Sequence, residues 1–260
     1  MKKAFHVLLL GGTGEARQLA DRIGKFKGIH VIASLAGVTR HPKAYPVETR
    51  TGGFGGVDGL VRFISEQHID LVVNATHPFA ETMTANAAKA AGMTATPLFR
   101  LLRDPWRPNA DDRWQDVADL DQAIAAIPGG ARVLFATGRG SVEQLAKTDP
   151  STDFWAAIRL IVPSDQEFPL PHGEFIQAQP PFSLEEELDL MKQLEISYLV
   201  TKNAGGVPGT AKLEAARQLG IAVIAIDRPA QPAGQIIATD LAEMTARIKH
   251  AMSQWEPDKA

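Results

Sequence analysis

Residues 5–26, FHVLLLGGTGEARQLADRIGKF, decide how this chain folds. The run from Phe5 to Leu10 is apolar but for one histidine and too short for a buried helix, so it reads as a strand covered on both faces. Gly11, Gly12 and Gly14 interrupt it, and residues 15–26 then carry apolar positions at helical spacing. A strand, a glycine turn and a helix open a parallel sheet with crossover helices. At such a turn unpaired backbone N–H groups and the positive end of the helix dipole face one space, which suits a phosphate. The spacing is not G-x-G-x-x-G, so a tight turn without a ligand stands as the alternative. Glu15 opposes an anion there unless it points away or pairs with Arg17.

The same rhythm continues outward. Strands are expected over residues 30–35, 69–74 and 96–101, with helices over 57–67 and 79–91. Residues 103–113, RDPWRPNADDR, break the rhythm with two prolines and several charges and read as an interdomain connection. Beyond them, strands are expected over 133–137, 155–162, 174–178, 198–202 and 221–226. Ser183 and Glu186 form a capping box for a helix over 184–194, and Leu241, Met244, Ile248, Met252 and Trp255 mark the packing face of a terminal helix. Both halves are thus α/β, one domain over 1–103 and a second over 104–260. The ligand crevice of such a sheet lies outside the carboxyl ends of its strands.

Composition removes several classes of function. A hydrophobic fraction of 45%, a charged fraction of 22% and a net charge of −3 describe an ordinary globular chain rather than a disordered one. No basic run follows a phosphate backbone, and only 2 Tyr and 4 Trp offer stacking surfaces, which argues against nucleic acid. Absence of cysteine rules out disulfides and thiolate metal sites and agrees with a reducing cytoplasm. No two of the 7 His residues stand at i, i+4 spacing, so no metal is expected. No stretch of about 18 apolar residues is present to cross a membrane.

Four further stretches carry chemistry. The second strand ends IASLAGVTR without the acid that holds a ribose 2′-hydroxyl in NAD sites; Ser34, Thr39 and Arg40 suit a 2′-phosphate instead, which favours NADPH over NADH. In RTGGFGG, residues 50–56, the glycines let backbone lie against a flat ligand; Gly53 is assigned to the cofactor and Arg50 and Phe54 to the substrate. In NATHPFA, residues 74–80, Pro78 suits the first position of a helix and leaves His77 or Thr76 as its cap. Asn74, Thr76 and His77 then border the crevice of the glycine turn, with a simply packed histidine as the alternative. In the second half, Arg139 of TGRGS and Lys202, Asn203 and Lys212 of TKNAGGVPGTAK stand at strand ends where they suit a polycarboxylate. As exposed surface charges they would be uninformative.

Taken in order, GGTGEAR at 11–17, TRTGGFGG at 49–56, NATHPFA at 74–80, TGR at 137–139 and VTKNAGG at 200–206 resemble the precorrin-6A reductase family of cobalamin biosynthesis. The resemblance implies an α/β enzyme of two Rossmann-like domains with its active site in the cleft between them. It implies NADPH as cofactor and reduction of one double bond of the precorrin-6A macrocycle to give precorrin-6B. On that reading Gly11, Gly12, Thr13, Gly14 and Arg17 meet the diphosphate, Thr76 and His77 border the nicotinamide, and Arg139, Lys202 and Lys212 meet substrate carboxylates. Lys202 or His77 supplies the proton, with bound water or the substrate itself as the alternatives. Hand-over to neighbouring pathway enzymes is the remaining partner expectation. One departure is Asn74, where the family pattern more often carries Asp. Rival readings are an NADP-binding sensor without turnover and a reductase of another small substrate, cobalt-precorrin-6A included. A sugar or quinone reductase would carry a Tyr-x-x-x-Lys pair for acid catalysis; Tyr198 and Lys202 have that spacing, but on an expected strand.

Overall fold

A computed structural model describes residues 4–37, 44–149 and 153–256. The chain forms two compact units, Met1–Asp104 with Pro229–Ala260, and Pro105–Arg228. The first boundary lies one residue beyond the expected one. The second expectation fails: residues 229 onward, assigned from sequence to the second domain, return to the first.

The first unit begins with β1 (Phe5–Leu10), α1 (Gly14–Ile23), β2 (Ile29–Leu35), β3 (Glu48–Thr51), α2 (Gly56–Glu66), β4 (Leu71–Asn74), α3 (Glu81–Thr94) and β5 (Leu98–Leu101). Side chains of β1 alternate between two cores. Val7 and Leu9 join Leu19, Ala20 and Ile23 of α1, while Leu8 and Leu10 join Leu60 and Ile64 of α2 and Ala87 and Ala90 of α3. With both faces covered, the strand needs the unbroken apolar run that the sequence shows.

The second unit contributes β6 (Trp114–Val117), α4 (Leu120–Ala125), β7 (Ala131–Ala136), α5 (Val142–Leu145), β8 (Phe154–Leu160), β9 (Gly173–Gln177), α6 (Leu184–Gln193), β10 (Tyr198–Lys202), α7 (Thr210–Leu219) and β11 (Ala222–Ile226). Ser183 and Glu186 form the expected capping box of α6. One deeply buried ion pair fastens that helix to its sheet: both guanidinium ends of Arg159 on β8 meet both oxygens of Glu187, at 2.7 and 2.6 Å. The chain closes with β12 (Ile236–Ala238) and α8 (Leu241–Gln254) in the first unit, where Met244 and Ile248 enter the core around Val7 and Leu9.

Every strand pair is parallel. The first sheet runs β3-β2-β1-β4-β5-β12 and the second β9-β8-β7-β10-β11-β6. In each, the winding reverses between two central strands, β1 and β4 in the first and β7 and β10 in the second. Such a reversal parts the connecting loops at the carboxyl ends and opens a ligand crevice there. The strands without a sequence signal, β3, β6 and β12, all lie at sheet edges, where ETRT, WQDV and IIA need no long apolar run.

Met244→Ala should destabilise the first unit by about 2–5 kcal/mol through loss of buried volume. Faster hydrogen exchange in β1, with β7 and β10 unchanged, would check that α8 belongs to this unit.

Candidate functional site

The turn after β1 is held from three sides. Gly11 N–H donates to the Ser34 carbonyl at 2.9 Å, tying it to the end of β2. Thr13 caps α1, its Oγ1 accepting from Ala16 N–H at 3.0 Å and donating to the Ala75 carbonyl at 2.9 Å beyond β4. Tyr45, which no sequence pattern marks, accepts from Gly12 N–H at 3.1 Å. Gly12 has a φ of +116°, and a Cβ on Gly11 would stand 2.8 Å from the Tyr45 hydroxyl, so each glycine has its own reason. Gly14 and Arg17 lie in the first turn of α1. Glu15 pairs with Arg103 at 2.7 Å rather than with Arg17, which neutralises the carboxylate beside the turn. Arg103 and Glu15 line one cleft with Thr13, Thr76 and Asp240.

The loop after β4 differs from expectation in two ways. Helix α3 starts at Glu81, not beside Pro78. Ala80 N–H instead donates to the His77 carbonyl at 2.8 Å, so Pro78 holds the second place of a β-turn, a position that its fixed φ favours. His77 Nδ1 accepts from Phe79 N–H at 3.2 Å, which leaves the proton of a neutral ring on Nε2, and the side chain is exposed. Asn74, expected to touch the cofactor, is wholly buried. Its Oδ1 accepts from Thr76 N–H, Thr76 Oγ1 and Arg100 at 3.1, 2.8 and 3.1 Å, while its Nδ2 donates to Thr84 at 3.1 Å. Asn74 therefore shapes the loop that presents Thr76.

Arg100 carried no sequence signal and is 0% exposed. Opposite Asn74 in the register of β4 and β5, it also donates to the backbone carbonyls of Asn74, Thr76 and His77, at 3.0, 3.1 and 3.5 Å.

On the other side of β1, Ser34 and Arg50 are register partners near the carboxyl ends of β2 and β3, and Arg50 donates to Ser34 Oγ at 2.6 Å. Arg50 also bonds the Gly52 and Gly53 carbonyls at 3.0 Å each and stacks 4.0 Å from the Phe54 ring centre. Arg50, Gly53 and Phe54 thus form one group with Ser34. Thr39 and Arg40 lie outside the described residues.

In the second unit the strand-end residues divide. Arg139 is exposed on the turn after β7. Lys202 ends β10 half-buried, and desolvation lowers its pKa from the ordinary lysine value. Asn203, expected to bind substrate, has its side chain clamped on the backbone of Trp106, accepting from its N–H at 2.8 Å and donating to its carbonyl at 3.1 Å. Lys212 lies 4.9 Å from the Trp106 ring centre. Arg228 donates to the carbonyls of Asn203 and Ala204 at 2.8 and 2.9 Å.

Residues 6–249 match the family described as Precorrin-6x reductase CbiJ/CobK. The chain belongs to the precorrin-6x reductase family. It is 42% identical to the precorrin-6A reductase of Rhodobacter capsulatus over 90% of this chain and 92% of that one. It is 30% identical to the cobalt-precorrin-6A reductase of Priestia megaterium over 90% of this chain and 94% of that one. A solved structure of CobK precorrin-6A reductase superposes with a TM-score of 0.88 at 38% identity, covering 98% of this chain and all of that one.

As a member of this family the chain is an oxidoreductase, and its glycine turn, Thr76 and the Ser34–Arg50 pair all open on the carboxyl ends of one sheet. No helix among the described residues is long and apolar enough to cross a membrane. Arg100→Met should cost about 3 kcal/mol or more in urea unfolding, because it strips buried carbonyls of their donor. A loss below about 1 kcal/mol would show that the loop holds without it.

Proposed function

We propose that this reductase uses NADPH to reduce one double bond of metal-free precorrin-6A, giving precorrin-6B in cobalamin biosynthesis. The observation that carries the cofactor reading is the Arg50 guanidinium, 2.6 Å from Ser34 at the end of β2. That strand end reads the ribose 2′ position in dinucleotide folds, and it carries no acid here. Arg50, assigned from sequence to the substrate, is therefore a 2′-phosphate ligand beside Ser34. Gly12, Thr13 and Gly14, with Arg17, face the diphosphate, and Thr76 and His77 border the nicotinamide end. Support for the metal-free substrate comes from the relatives: identity is 42% and 41% to reductases named for precorrin-6A, against 30% and 27% to those named for the cobalt form.

The cofactor supplies a hydride. The chain's own work is to position both reactants, exclude water and deliver a proton. Lys202 is the preferred donor, because burial makes its ammonium a stronger acid than an exposed lysine. His77, whose Nδ1 accepts from Phe79 N–H and so leaves the proton of the neutral ring on Nε2, is the alternative. Arg139 and Lys212 meet carboxylates of the macrocycle.

Purified protein with NADPH and precorrin-6A should lose nicotinamide absorbance and yield a product heavier by two hydrogens. Arg50→Leu should lower the preference for NADPH over NADH by about tenfold or more, a ratio that general damage would not move. Lys202→Met should reduce kcat more than it raises KM, whereas Arg139→Met should chiefly raise KM. The reverse pattern assigns the proton to another group.

A further inference from the structure

Nothing in the reaction outlined above uses Tyr45, yet its hydroxyl stands where the cofactor must arrive. Tyr45 Oη accepts from Gly12 N–H at 3.1 Å and donates to the Thr13 carbonyl at 3.4 Å, so both roles of the hydroxyl serve the glycine turn. It also fills the space over Gly11, where a Cβ would come within 2.8 Å of it. The ring packs on the core around Val7, Leu9 and Leu19. Burial raises the phenol's pKa, partly countered by its bond to Gly12 and by Arg17, so the group is a neutral hydroxyl at physiological pH.

One amide proton makes one well-aligned hydrogen bond. A phosphate oxygen on Gly12 N–H and the Tyr45 hydroxyl in this place exclude each other, for the proton and for the space above Gly11. We infer that Tyr45 is the resident acceptor of the glycine turn: it holds Gly12 and Thr13 in the geometry that receives a diphosphate, and the diphosphate displaces its hydroxyl on binding. This rests on the cofactor reading above. The exchange favours phosphate, since an N–H bond to an anionic oxygen is stronger than one to a neutral hydroxyl. Tyr45 is thus a positioning residue.

The sequence holds only 2 tyrosines, Tyr45 and Tyr198. Tyrosine labelled with carbon-13 at Cζ alone gives two resonances, one for each tyrosine, and Tyr45→Phe assigns them. Saturating NADP+ should shift the Tyr45 resonance, while adenosine 2′-monophosphate, which lacks the diphosphate, should leave it in place; Tyr198 serves as the internal reference. Tyr45→Phe should bind NADP+ within about threefold of the parent, since one neutral hydrogen bond is exchanged for water. Calorimetric binding of NADP+ with an unmoved Tyr45 resonance overturns the displacement and leaves the cofactor reading standing. Failure of NADP+ to bind overturns both. A loss of about tenfold or more in Tyr45→Phe also overturns the displacement, because the hydroxyl would then be staying to hold the phosphate.

Discussion

The crevice of the first unit depends on a buried cation. Enclosing a guanidinium costs several kcal/mol unless its N–H groups find acceptors, and Arg100 finds them in the loop that begins where β4 ends. The parallel register sets Arg100 opposite Asn74, and Asn74 Oδ1 gathers Arg100 and both donors of Thr76. Thr13 then ties the glycine turn to the same loop through the Ala75 carbonyl. Turn and loop form one hydrogen-bonded assembly, so the glycine turn and Thr76 are fixed relative to each other. The second unit repeats the device, with Arg228 just beyond β11 donating to the loop after β10.

This arrangement explains why asparagine is compatible with position 74. An aspartate could accept from Arg100 and Thr76, but it could not donate to Thr84 as Asn74 Nδ2 does. Being wholly enclosed, the residue at 74 has no path to a substrate in either form. A carboxylate there would strengthen the brace on Arg100 rather than act as an acid.

Much of the fold was legible because central strands of a parallel sheet must be apolar on both faces. Phe5–Leu10 and Tyr198–Lys202 could be read directly, and the glycine turn and VTKNAGG fall at the reversals. Edge strands were not legible, since ETRT, WQDV and IIA are short and largely exposed. That is also why the C-terminal segment was given to the wrong domain: pairing of β12 with β5 and packing of α8 on the core around Val7 and Leu9 reveal its return. At the candidate site, strand-end position brought Gly12, Thr13, Ser34 and Thr76 to the carboxyl ends of one sheet, whereas Arg50, at the end of an edge strand that was not read, was assigned to the substrate. What they did not show was burial. Asn74 and Asn203 look like ligands in the sequence and prove to be clamps, while Arg100 and Tyr45 have no local pattern because their partners lie in other segments.

Hydrogen exchange with and without NADP+ tests the placement of the cofactor most directly. The account predicts added protection in residues 11–17, 34–37, 50–54 and 74–78, all at the carboxyl ends of the first sheet, with residues 154–160 and 184–193 unchanged. Protection confined to residues 137–141 and 202–212, with the glycine turn exchanging as before, would place the cofactor on the second sheet and contradict it.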